Sequence, residues 1–111
     1  MDSKVITIGG NGVNTVEVGK NKPLVFIGGP CAIESEVHTL YMAEEISKIC
    51  RDVGIKWIFK SCYDKDCRSS KDSFHGVGIS EGLKILSKVR DKFRVPVVSD
   101  FSDASWAETT A

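Results

Sequence analysis

Apolar residues along this chain fall into short runs separated by glycine-rich or polar stretches. Two runs near the start, VITI (5–8) and TVEV (15–18), predict strands, and the GGNGVN between them predicts a turn with positive φ angles. The continuous apolar run LVFIG (24–28) predicts a strand that is buried on both faces, as in a parallel sheet. The pattern therefore indicates a hairpin followed by a buried strand.

A helical spacing of apolar residues follows that strand. It predicts a helix over 35–53, with Ser35 as its N-cap and Gly54 just beyond its end. The face expected to be buried consists of Val37, Leu40, Tyr41, Ile46, Ile49, Cys50 and Val53.

The rest of the chain repeats this alternation. Strands are predicted over 55–61 and 95–101, with a helix between them capped by Ser80, and a third helix is predicted to begin at Ser102. The polar stretch 62–78 is longer than a usual βα connection. The order hairpin, β-α-β-α-β-α argues for a parallel α/β sheet. Because so few parallel strands leave an open sheet edge, we expect the N-terminal part of a larger α/β protein.

Composition and charge exclude several classes of function. The 111 residues are 41% apolar and 27% charged, with a formal net charge of zero, which favours neither nucleic-acid nor membrane-surface binding. No apolar run approaches the length of about 20 residues that a membrane helix needs, and the N-terminus lacks a signal-peptide core. We therefore expect a cytoplasmic protein. Its four cysteines form no CxxC pair and are expected to be reduced.

Residues that could bind ligands or take part in catalysis follow the predicted strands, where functional side chains of βα folds collect. Lys60, Lys65 and Arg68 lie close to Ser69, and such cations and hydroxyl groups suit carboxylate and phosphate oxygens. A solvated charged loop is the alternative interpretation. Lys60 argues against it, because burying an ammonium group at the end of an apolar strand without an anion would be unfavourable.

Cys31 and Asp100 lie at the ends of the other two predicted strands. On spacing alone, Cys31 is expected to be a small buried hydrophobe, as is Cys50, since free cysteine is among the most buried residue types. Asp100 is expected to point into the same opening at the carboxyl ends of the strands as Lys60. A helix-capping role is the alternative.

Three motifs together resemble the 3-deoxy-D-manno-octulosonate 8-phosphate (KDO-8-phosphate) synthase family: IGGPCAIES, FKSCYDKDCRSSKDSFHGVGISEGLKIL and VPVVSDF. The resemblance implies a (β/α)8 TIM barrel, with 1–22 as a hairpin that closes its bottom and 23–111 as its first three βα units. It also implies condensation of phosphoenolpyruvate with arabinose 5-phosphate and release of phosphate. We expect this portion of the barrel to be inactive alone.

The resemblance implies roles for individual residues. Lys60 and Lys65 would bind phosphoenolpyruvate, chiefly at its carboxylate. Lys60 and Asp100 would be the catalytic residues, with Asp100 near the reacting centre. Arg68 and Ser69 would hold the phosphate of the sugar substrate.

The resemblance also implies a metal. Cys31 matches the cysteine ligand of the metal-dependent class, whose other ligands (His, Glu and Asp) come from later strands. A thiolate favours soft or borderline metals, and we expect zinc, iron or manganese. The full-length protein is expected to be a homo-oligomer, specifically a tetramer.

Several positions depart from the family pattern. Cys62 replaces a serine, Asp66 and Cys67 replace Ala-Asn, and His75 replaces an arginine. The resemblance implies that Cys62 and Cys67 occupy substrate-contact positions. At Cys67, a thiol cannot reproduce the paired donor and acceptor of an amide. Three interpretations therefore stay open: a KDO-8-phosphate synthase, a related condensing enzyme of the DAHP or sialic acid synthase type, and a non-catalytic remnant. The run RSS…SFxGxG…EGLxIL favours the first.

Overall fold

The computed structural model describes residues 4–63, 77–100 and 104–111. Its elements follow the predicted order. They are β1 Ile6–Gly10, β2 Val13–Val18, β3 Val25–Gly28, α1 Glu36–Val53, β4 Lys56–Lys60, α2 Ile79–Phe93, β5 Val97–Val98, a 3₁₀ turn Ala104–Trp106 and a short helix α3 Ala107–Thr110. Within these three ranges, every helix is too short or too polar to cross a membrane.

β1 and β2 form the predicted antiparallel hairpin. Gly10 pairs with Val13, so that only Asn11 and Gly12 connect the strands. Their φ angles are 54° and 89°. Asn-Gly with two positive φ angles is a preferred two-residue hairpin turn. The strands therefore extend further into GGNGVN than the apolar pattern predicted.

The second sheet is parallel, with strand order β3-β4-β5. Its central strand, β4, is deeply buried, and Phe59 is 0% exposed. The prediction that β3 is buried on both faces is wrong for the described chain. Leu24 and Ile27 are 80% and 56% exposed, because β3 lies at the edge of this sheet. β5 is shorter than predicted, since its pairing with β4 is confined to Val97 and Val98.

The ends of α1 lie where the sequence predicted them. Ser35 Oγ accepts a hydrogen bond from the backbone N–H of His38 at 3.1 Å, and Gly54 ends the helix with a φ of 78°. Ser35 thus satisfies one of the free N–H groups at the start of the helix.

The predicted buried face of α1 is only partly correct. Cys50 is buried, and Leu40 and Ile46 pack against the core. The fully buried positions also include Thr39 and Ala43, which the apolar spacing did not single out. Four of the residues predicted to be buried are instead exposed: Val37, Tyr41, Ile49 and Val53.

α2 begins before the residue predicted to cap it. Its N-cap is Gly78, with no side-chain capping hydrogen bond, and Ser80 lies inside the first turn. The predicted cap of the third helix, Ser102, lies outside the described residues.

The core lies between the parallel sheet and the two long helices. A Glu36–Lys88 ion pair links α1 to α2 at the surface. The buried cluster comprises Ile33, Ala43, Cys50, Trp57, Phe59, Tyr63, Ile85, Leu86 and Val89. The parallel pairing of Gly28 with Phe59 places the carboxyl ends of β3 and β4 side by side.

Candidate functional site

The candidate site lies at the carboxyl ends of β3 and β4, where backbone pairing continues beyond the strands. The N–H of Cys62 donates to the carbonyl of Cys31 at 3.3 Å, and the N–H of Ile33 donates to the carbonyl of Cys62 at 2.9 Å. Ser61 Oγ donates to the carbonyl of Pro30 at 2.6 Å. The GGPC turn is therefore fixed against the end of β4.

Gly29 allows these two backbones to approach closely. A Cβ at this position would overlap the carbonyl oxygen of Lys60 and lie 3.0 Å from Cε2 of Phe59. No side chain fits into that space without moving a backbone. The glycine directly before Pro30 is therefore a requirement of the site's geometry.

Three side chains meet at this edge of the sheet. Lys60 Nζ lies 3.6 Å from Asp100 Oδ2, and Cys62 Sγ donates to the same oxygen at 3.4 Å. The side chains of Lys60 and Asp100 are 43% and 63% exposed, whereas Cys62 is 2% exposed. The structure thus places Asp100 beside Lys60 at the carboxyl ends of the strands, as the strand-end argument predicted. The catalytic roles of both residues stay predictions.

An open pocket of about 310 Å³ lies between the two strand ends. Cys31 is exposed, so the expectation from spacing alone that it is buried is wrong. Cys50 is buried as expected, and burial raises the pKa of its thiol. The pocket is lined by Ile27, Gly28, Gly29, Pro30, Cys31, Lys60, Ser61 and Cys62.

The described residues do not make up a complete metal site. Within 4–63, 77–100 and 104–111, no three His, Cys, Asp or Glu side chains lie together in a way that could hold a metal ion. Cys31 offers one thiolate, and the described residues do not supply the rest of a ligand set. Its role as a metal ligand stays a prediction.

Four predicted substrate-binding residues lie in the segment 64–76, which is outside the described residues. The N–H of Gly78 donates to the carbonyl of Tyr63 at 3.0 Å, which joins the chain on either side of that segment. The predicted residues outside the described ranges are Lys65, Cys67, Arg68 and Ser69.

Tyr63 is a buried residue at the end of the site that the sequence analysis missed. It is 0% exposed, its hydroxyl lies 2.8 Å from Thr110 Oγ1, and its ring is 6.3 Å from that of Trp106. A Cβ on Gly82 would overlap the Cβ of Tyr63, so α2 also packs directly on it. A single aromatic residue in a polar stretch gives no periodic signal, and its position after a buried strand was the only indication.

A larger open cavity, about 600 Å³, lies between the hairpin, α2, β5 and α3. Arg90 is the one charged residue among the described residues that line it. We locate the candidate site at the smaller pocket because charged and nucleophilic groups converge there.

Comparison with known proteins identifies the family of this chain. Residues 4–111 match the DAHP synthetase I family. The proteins of Geotalea uraniireducens and Koribacter versatilis, both named 2-dehydro-3-deoxyphosphooctonate aldolase, are 48% and 50% identical over 99 and 95 residues. These alignments cover 89% and 86% of this chain but 36% and 34% of the relatives.

A third relative of the same name, from Citrifermentans bemidjiense, is 44% identical over 109 residues, which are 98% of this chain and 38% of that protein. The chain therefore spans slightly more than a third of the length of these curated relatives. Their shared name is another name for KDO-8-phosphate synthase, so the resemblance found in the motifs is confirmed. The chain belongs to the DAHP synthetase I family, which includes the KDO-8-phosphate synthases.

Proposed function

We propose that this chain supplies the phosphoenolpyruvate-binding strand ends of a KDO-8-phosphate synthase. The reaction condenses phosphoenolpyruvate with arabinose 5-phosphate and consumes one water, to give 3-deoxy-D-manno-octulosonate 8-phosphate and inorganic phosphate. The observation that carries the proposal is the meeting of Lys60, Cys62 and Asp100 beside the pocket that Cys31 also lines. The names of the curated relatives support the reaction class.

Lys60 is proposed to bind the carboxylate of phosphoenolpyruvate. Its backbone is held in β4, while its ammonium group remains accessible because the side chain is 43% exposed. Asp100 would repel an anion that approached along its own side of Lys60. The substrate would therefore approach from the side of the pocket away from Asp100, whose carboxylate could orient a hydroxyl group or accept a proton.

The remaining charge of the two substrates requires further cations. Lys65 is proposed to share the carboxylate of phosphoenolpyruvate, and Arg68 and Ser69 to bind the phosphate of the sugar. A guanidinium group forms paired hydrogen bonds with phosphate oxygens, which suits Arg68 to that role. Cys67 would occupy a sugar-contact position, where a thiol forms weaker hydrogen bonds than an amide.

The surroundings of this site are part of the proposal. Residues 1–22 and 23–111 would form the hairpin and the first three βα units of a (β/α)8 barrel. Cys31 would contribute one thiolate to a zinc, iron or manganese ion, with the other ligands outside the described residues. We assign no chemical step to that metal. The protein would act in the cytoplasm as a homotetramer.

A second candidate is a condensing enzyme that uses a different aldose phosphate. It is favoured by the description of the matched family, which is named after DAHP synthetases. A phosphate-release assay on the full-length protein separates the two. With phosphoenolpyruvate present, we expect release with arabinose 5-phosphate and not with a four-carbon aldose phosphate. The reverse preference would favour the second candidate, and a folded protein that releases phosphate with neither sugar would contradict both.

The same assay tests the role of Lys60. Removing a charge-assisted hydrogen bond costs about 1.5–3 kcal/mol, so Lys60→Ala should lower kcat/KM by about 10- to 100-fold. Lys56→Ala is the matched control, because Lys56 is exposed at the opposite end of the same strand. Equal losses in the two variants would contradict the proposed site.

A further inference from the structure

The thiol of Cys62 differs from its two charged neighbours in how firmly it is held. Its backbone N–H and carbonyl both pair with the segment that follows β3, through Cys31 and Ile33. Its residue is 2% exposed, whereas the side chains of Lys60 and Asp100 are 43% and 63% exposed. Cys62 is therefore the fixed member of the group.

The ion pair between Lys60 and Asp100 is too exposed to fix its own geometry. Exposed pairs of this kind contribute about 0–1 kcal/mol, because solvent screens them and two flexible side chains lose entropy. A hydrogen bond from a buried donor adds a direction that the ion pair lacks. Cys62 Sγ lies 3.4 Å from the same Oδ2 atom that faces Lys60 Nζ at 3.6 Å.

We propose that Cys62 is a positioning residue that acts through Asp100. Its thiol donates to Oδ2, holds that carboxylate at the mouth of the pocket, and thereby sets where the Lys60 ammonium lies for an incoming carboxylate or phosphate group. This role differs from the direct substrate contact that the family resemblance implies, since a residue with 2% exposure offers little surface to a ligand. The proposal rests on the proposed function only for the identity of that ligand.

The contact itself is tested without any ligand. A hydrogen bond lowers the S–H stretching frequency of a thiol, and the Cys62 band is isolated in the Raman difference spectrum between the wild-type chain and Cys62→Ser. We expect this band to move to higher frequency in Asp100→Asn, because an amide oxygen is a weaker acceptor than a carboxylate. An unchanged band would overturn the proposal.

The positioning effect is tested by conservative rescue. We expect the side-chain NMR signals of Lys60 to move in Cys62→Ala and to return towards their wild-type positions in Cys62→Ser, which keeps a donor. Cys50→Ala is the matched control, because it removes a buried thiol from the core and not from the pocket. Equal shifts in the alanine and serine variants would overturn the proposal, as would shifts of the same size in the control.

A third measurement connects the contact to function. Phosphoenolpyruvate should bind about three- to tenfold more weakly to Cys62→Ala than to the wild-type chain, with most of the loss recovered in Cys62→Ser. Equal weakening in both variants would contradict positioning by hydrogen bonding. If the wild-type chain binds no phosphoenolpyruvate, the proposed function fails, while the Raman and NMR results still decide the role of Cys62.

Discussion

Gly29→Ala should destabilise the chain through a backbone collision at the candidate site. The added Cβ would overlap the Lys60 carbonyl oxygen, which belongs to a hydrogen-bonded strand and cannot rotate away. Overpacking of this kind costs about 1–3 kcal/mol. Replacing glycine also lowers the conformational entropy of the unfolded chain, which offsets about 0.4–1 kcal/mol of that destabilisation. At the middle of these two ranges, the net loss expected in the free energy of unfolding is about 1.3 kcal/mol.

Gly28→Ala is the matched control, one residue earlier in the same motif. There a Cβ would meet the far end of the Phe26 ring, with Cζ at 2.5 Å, and Phe26 is 43% exposed and free to turn outwards. We expect Gly28→Ala to lie within about 0.5 kcal/mol of the wild type. Urea unfolding followed by circular dichroism measures both variants. The close approach of the two strand ends would be refuted if Gly29→Ala were as stable as Gly28→Ala.

Three further predictions concern the surroundings of the site. Tyr63→Phe removes a hydroxyl contact to α3 and should cost about 1 kcal/mol in urea unfolding; no change would mean that the contact is not formed. Gly82→Ala should lower the free energy of unfolding by about 1–3 kcal/mol through overlap with Tyr63. Ser80→Ala, at an exposed non-capping position, should leave it nearly unchanged, and a larger loss in Ser80→Ala than in Gly82→Ala would contradict the assigned start of α2. At pH 8, iodoacetamide should modify Cys31 before Cys50, because Cys31 is exposed, whereas Cys50 is buried and its raised pKa lowers its thiolate fraction; a reversed order in peptide mass mapping would contradict this.

Local chemistry made parts of the fold predictable. The ends of α1 follow from Ser35 and Gly54, because capping depends on residues within one turn of the helix end. The buried face of α1 was less predictable, because it depends on which neighbours cover the helix. Val37 and Tyr41 have helical spacing and apolar side chains, yet they are exposed in the described chain.

The site shows the same division between what is local and what is not. Lys60 and Asp100 could be placed at one edge, because parallel strands bring their carboxyl ends together. The hydrogen bond from Cys62 to Asp100 could not be predicted, since it depends on side-chain directions across two strand ends. The exposure of Cys31 likewise depends on how the GGPC turn lies against β4.

The most direct test of the proposed site is a ³¹P NMR titration of phosphoenolpyruvate with this chain. We expect a saturable shift or broadening with the wild-type chain that persists in Lys56→Ala and is lost or at least about tenfold weaker in Lys60→Ala. No response with the folded wild-type chain, or the same response in both lysine variants, would contradict phosphoenolpyruvate binding at the ends of β3 and β4.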